Sequence, residues 1–256
     1  MRHVAALTLA LFAPAGCDRA APTSEHTTGA RHGATASVSA EIPASVVRGE
    51  VLLEGVAPVA PPILLGAADG CGSLRESAPA EKLLVSGGRI ANVLVRVKSG
   101  PTPEQPWTVP TEPILLDQRG CVFEPHVVAV RAGQPLHIRN SDPLLHNVNV
   151  RPSRARNDAS NRSLGPRSSD LEFVFPAAEA AIAVRCDIHP WMQAYVHVLD
   201  TPHFALTGAD GSFELSGLAP GKYELEVVHE WLGKHAFEVA LDPASGTRVT
   251  VTLALP

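Results

Sequence analysis

The stretch "CDIHPWM", Cys186 to Met192, sets a thiol, an imidazole and a thioether within seven positions. Upstream, "NSDPLLHNVNV" carries His146 after a strand end, in a turn made of Asn140, Ser141, Asp142 and Pro143. Together His146, Cys186, His189 and Met192 supply two imidazoles, a thiolate and a weak thioether, the donor set of one type 1 copper ion. A soft thiolate suits Cu(I), imidazole suits both oxidation states, and a geometry tolerable to both means little movement on electron transfer. Zinc is the inorganic competitor, but it rarely takes a thioether, so Met192 argues for copper. A lone Cys-x-x-His would be a buried thiol beside a satisfied imidazole, and Met192 alone would be core. All of them at this spacing, in a β-rich chain, read as a copper centre.

Donors 40 positions apart must be held by different strands of a rigid frame. After residue 45 almost no stretch carries a long apolar period of 3.6, so the expected fold class is all-β. "VVRGEVLLEG" and "ANVLVRVKSG" read as strands closed by glycine turns. "PILLDQRGCVFEPHVVAVRAGQPLHIRN" reads as at least three short strands divided by Arg-Gly, Glu-Pro and Ala-Gly-Gln signals, a spacing that suggests a sandwich. Between Arg151 and Asp170 the apolar pattern fails and a surface excursion is expected. "LEFVFPAAEAAIAVRC" then leads into the ligand loop and "AYVHVLD" leaves it. In the last quarter, Asp210-Gly211 and Pro220-Gly221 are turns between alternating strands of a second β unit.

"HNV" with "CDIHPWM", preceded by "HVVAVRAGQPLHIRNSD", resembles the cupredoxins, closest to the amicyanin and plastocyanin group, over about residues 108–200. The resemblance implies a cupredoxin-like Greek-key sandwich with His146 and His189 as imidazole ligands, Cys186 as thiolate and Met192 as axial sulfur. It also implies that Asn147 braces the ligand loop, and that Pro190 and Trp191, beside an exposed His189, form an apolar surface for electron partners. "ADGSFELSGLAPGKYELEV" resembles the carboxypeptidase regulatory-like family, a small transthyretin-like sandwich used as a structural or interaction module. That family's opening Gly-x-Val strand and its later strand into the body are missing after residue 200 but occur earlier, as "RGEVLLEG" and "ANVLVRVK". The expected organisation is therefore a transthyretin-like sandwich from 46–100 and 203–256, with a cupredoxin domain over 101–202 inserted. A truncated C-terminal module beside one longer N-terminal domain is the alternative.

Met1-Arg2-His3, then the apolar run Val4 to Pro14, reads as an export signal too short to span a bilayer. Ala15 and Gly16 before Cys17 resemble a bacterial lipoprotein cleavage box, which implies lipidation of Cys17, with ordinary signal cleavage nearby as the alternative. Residues 18–45 have no hydrophobic pattern and fit a disordered tether. The expected location is the periplasm or cell envelope, with membrane attachment through lipid. An oxidising compartment favours a disulfide between Cys71 and Cys121, though pairing of either with Cys186 stays open on sequence alone.

A net charge of −5 with scattered Lys and Arg offers no basic face for nucleic acid. No serine elbow, phosphate loop or dinucleotide fingerprint is found, and no enzyme is expected. "HEWLGKH" only superficially resembles a zinc-protease helix, because its histidines are six apart across Gly233. A second metal site drawing on His126, His203, His229 or His235 is the less favoured fate of those residues; hydrogen-bonded or surface histidine is commoner. The reading is an exported electron carrier serving an unidentified redox partner protein. Copper capture and delivery, or a non-redox interaction module on a cupredoxin scaffold, are the alternatives.

Overall fold

The structure, a computed structural model, describes residues 45–66, 70–101, 106–153, 156–242 and 246–256. Residues 1–44, which include Cys17 and the segments read above as an export signal and a tether, lie outside the described residues. The described chain is all-β: its sole helical piece is the 3-10 turn Cys71–Ser73, and no helix is long and apolar enough to cross a membrane.

Two sandwiches emerge from the strand pairings. In the inner one, a five-stranded sheet runs Ser160–Leu164, His146–Arg151, Glu179–Arg185, Gln193–Leu199, Val127–Arg131 in spatial order, with the last pair parallel. Facing it is a sheet of Leu171–Val174, Pro135–Asn140, Ile114–Gln118 and Phe123–Glu124. Four of the seven pairings join strands that are not consecutive in sequence, two of them parallel, which is a crossed connectivity of the Greek-key kind. Side chains alternate across each strand, so Leu136 and Ile138 from one sheet meet Val148, Ile182, Val184 and Val196 from the other in a dry core.

In the outer sandwich, Ser45–Glu54 lies parallel to Thr247–Ala254 and antiparallel to Ser212–Leu218. The opposing sheet contains Phe204–Leu206, Leu94–Ser99, Gly221–His229 and Gly233–Leu241. Strands from before and after the inner sandwich in sequence thus share both sheets. Alternation is clean here: Phe213 and Leu215, with Tyr223, Leu225 and Val227, point into a common core. Gly49 is required by that packing, since a Cβ there would sit 2.6 Å from the ring of Phe213.

A third cluster joins the two bodies, with Leu94 and Val228 of the outer sheet against Leu199 of the inner one. Covered on both faces, Gln193–Leu199 becomes a near-continuous buried run that includes His197. His197 Nδ1 accepts the Ala181 N–H, and burial, with Arg96 and Lys234 nearby, pushes its pKa down to about 3.

Two placements differ from the sequence expectation. The excursion over 151–170 contains a strand, Ser160–Leu164, which pairs with His146–Arg151 at the sheet edge. Its polar sequence hides it because three of its five residues face solvent. The second concerns an arm, residues 63–66 and 70–78, which leaves the outer body and packs on the inner core through Leu65, Cys71 and Ala78.

Candidate metal centre

The turn before His146 is built by Asn140. Its side-chain amide donates to Leu144 O and Leu164 O at 2.8 Å each, while its Oδ1 accepts the Asp142 N–H. The chain is thereby bent back, and His146 enters its strand with its ring wholly buried. The ligand loop closes on itself: Cys186 N donates to Met192 O and Met192 N to His189 O, so residues three and six positions apart converge. Asn147 ties turn to loop, its Oδ1 accepting the Asp187 N–H at 2.6 Å and its Nδ2 donating to Asp187 Oδ2 at 3.1 Å.

These elements bring His146, Cys186 and His189 together. The Nδ1 atoms of the two rings are 2.9 Å apart, and Cys186 Sγ lies 4.0 Å from that of His146 and 3.7 Å from that of His189. Met192 is buried in the same core at the far end of the loop. Among the described residues Cys186 is the one cysteine outside a disulfide; Cys71 and Cys121 are joined at 2.01 Å. Their sulfurs lie beside His189, but as a disulfide they are not thiolate donors.

Charge is organised around the imidazole of His146. Burial would depress its pKa, but the Asp142 carboxylate 2.9 Å from Nε2 and the neighbouring Cys186 sulfur raise it to about 8. Asp142 itself, despite burial, is held below the usual carboxylate range by His146 and by the N–H groups of Cys121 and Gly120. The Cys186 thiol is pushed up by burial, yet His146 and the N–H groups of Asn147, His189 and Ile188 bring it below its ordinary value. A thiol shifted this way is predisposed to the anionic form that binds metal.

His189 is 1% exposed, so the expected exposed imidazole is corrected. The arm with Cys71 covers that side, and Gly70 packs so closely on Leu144 that a Cβ there would lie 2.7 Å from its Cδ2. Trp191 is half-buried, its ring 5.3 Å from that of His189 and its indole N–H donating to Cys121 O; Pro190 is exposed.

The other histidines do not gather. His126 is clamped between Glu230 at Nε2 and Glu81 at Nδ1; burial would lower its pKa, but the two carboxylates raise it to about 9. It borders a cavity of about 400 Å³ that also touches Trp191 and Met192. His203 packs edge-on to Trp107, His229 Nδ1 accepts the Trp231 N–H, and His235 Nε2 meets Leu232 O. Two residues escaped the sequence reading. Asp142 figures in the sequence only as part of a turn, although a carboxylate four positions before a candidate ligand histidine is a usable signal. Asp187, inside the loop, accepts from Asn149, Asn161 and Arg151 as well as Asn147.

No protein-family model and no curated protein matches this chain. Among solved structures it is similar to amicyanin from Paracoccus versutus, with 21% identity, 41% of this chain and 97% of that one covered, and a TM-score of 0.31. A purple cupredoxin from Nitrosopumilus maritimus shows 17% identity over 34% of this chain and 99% of that one, with a TM-score of 0.28. A copper-containing nitrite reductase from Thermus scotoductus shows 20% identity over 38% of this chain, with a TM-score of 0.32; the match spans about a quarter of the reductase, 26%.

Proposed function

We propose that this chain is an exported copper protein that carries single electrons between partners at the cell envelope. The observation that carries the reading is the convergence of His146 Nδ1, His189 Nδ1 and Cys186 Sγ in one buried cluster, with Met192 closing the loop. The donors fit the ion: two imidazoles and a sulfur suit copper, and the thioether disfavours zinc. His146, Cys186, His189 and Met192 would hold one copper ion, which supplies one-electron cycling between Cu(II) and Cu(I).

The chain's own contribution is rigidity and dryness. Every donor residue is at most 2% exposed, which excludes water and suits a carrier better than an open capture site. Asn147 and Asp187 hold the loop against the strand that bears His146, so the ligands cannot spread when the charge changes. With His189 enclosed, Trp191 and Pro190 are the groups through which a redox partner protein would meet the centre. The inner sandwich is taken as a cupredoxin domain inserted into a transthyretin-like module, with attachment to the membrane through Cys17.

Titration of the purified protein with Cu(II) tests this. An intense visible thiolate-to-copper band is expected in the wild type and absent from Cys186→Ser. Copper binding without that band in the wild type overturns the assignment.

A further inference from the structure

We infer that Asp142 is a positioning residue of the metal centre: its carboxylate fixes the ring of His146 with Nδ1 free for the ion, and its buried charge favours the Cu(II) state. The inference rests on the copper reading above and adds a determinant of its potential.

Asp142 is 5% exposed and cannot swing away from His146. Its Oδ2 accepts the Cys121 N–H at 2.8 Å and lies 2.9 Å from His146 Nε2; its Oδ1 accepts the Gly120 N–H at 2.6 Å. From behind, its own N–H is held by Asn140 Oδ1. An ionised carboxylate can only accept, and a neutral imidazole has a single N–H, so Nε2 must carry that hydrogen. The Nδ1 lone pair is then the one aimed at His189 and Cys186. A backbone carbonyl in the same place would select the same tautomer. A carboxylate does more, because it makes the ring a stronger base and sets a negative charge one imidazole away from the ion, where Cu(II) gains more than Cu(I).

Cys121 explains why the carboxylate stays put. Its N–H holds Asp142, its carbonyl accepts the Trp191 indole N–H, and its sulfur is bonded to Cys71. One residue thus braces the first imidazole, the ligand loop and the covering arm. Were Asp142 only a turn residue tying down Gly120 and Cys121, loss of its charge would alter stability and leave the metal's oxidation preference unchanged.

Asp142→Asn separates the two, since it keeps size and one carbonyl acceptor. In the copper-loaded variant the ratio of Cu(II) to Cu(I) affinity should fall about tenfold, a rise of about 59 mV in midpoint potential. An unchanged potential in a variant that folds, judged by near-ultraviolet circular dichroism, overturns the inference. Should the variant not fold, wild-type protein without metal answers independently. Nitrogen-15 NMR in alkaline buffer, where the ring is neutral, should find His146 as the Nε2–H tautomer, and finding Nδ1–H overturns the inference too. This second measurement needs no copper, so its outcome stays distinct from the presence or absence of the thiolate-to-copper band.

Discussion

The two sandwiches handle polar residues differently. In the outer one, opposite charges sit across neighbouring strands on the surface: Arg48 with Glu214, Arg89 with Glu50, Lys98 with Glu224, and, more sheltered, Arg96 with Glu226. The inner one has exposed pairs as well, such as Arg139 with Asp170, but in addition it takes polar groups inside and satisfies them with fixed partners. Asn140, Asp142 and His146 form one such web, with Asn147 tied separately to Asn161 and Asp187; Asn157 and Glu179 form another with Ser153 and Ala177. Surface pairs each contribute at most about 1 kcal/mol and can be exchanged freely. A buried web is costly to desolvate and costly to break, but it allows one arrangement only. The outer body is built to be tolerant and the inner one to be unique, which is what ligands needing fixed spacing require.

The contrast can be broken most severely at the staple between arm and inner core. Replacing Cys71 and Cys121 together by Ala opens a link of sequence separation 50 and should cost about 4 kcal/mol, read by urea unfolding of wild type and variant side by side. Next comes the clamp on His126, whose two carboxylates belong to the outer chain segments. Its pKa rises from 6.5 to about 9 on folding, so its stabilisation is complete below about 6.5 and is lost as pH climbs to about 9, about 3 kcal/mol in all. Melting temperature against pH should fall across that window in the wild type and fall less in Glu230→Gln; equal slopes would remove the clamp from the account. His197 has the opposite sign: held neutral in the fold, it should lower stability as pH drops below 6.5, an acid-side loss that His197→Phe would diminish.

Smaller again is Asp187→Ala. It removes the carboxylate that accepts from Asn147, Asn149 and Asn161 while keeping the backbone N–H on Asn147 Oδ1, should cost about 1–2 kcal/mol, and should hasten copper release measured by chelator exchange. Smallest is Glu214→Gln in the outer sandwich. Removing an exposed partner of Arg48 should change stability by less than about 1 kcal/mol in thermal melts. A loss as large as that of Asp187→Ala would erase the distinction between the two bodies.

Legibility followed sequence distance. The donor loop is readable because Cys186, His189 and Met192 are close together and chemically unusual as a set. Strands such as Ser212–Leu218 are readable because one face is wet and the other dry. Ser160–Leu164 is not, since an edge strand with outward polar side chains lacks that contrast. The clamp on His126 is invisible for another reason: Glu230 lies 104 positions away, and nothing local marks the two as partners. The enclosure of His189 was missed likewise, because the arm that covers it is separated from the ligand loop by most of the inner sandwich.

The parallel pairing of Ser45–Glu54 with Thr247–Ala254 also closes the largest loop in the described fold. These strands lie about 200 positions apart, so the outer body cannot complete until residues 247–254 have been made. The inner sandwich draws its strands from one continuous stretch, 114–199, and pays a smaller loop-closure entropy. It can settle first and hold the two unfinished flanks near each other. Docking of Thr247–Ala254 on Ser45–Glu54 then closes the outer sandwich around a body whose contiguous strands can form without it.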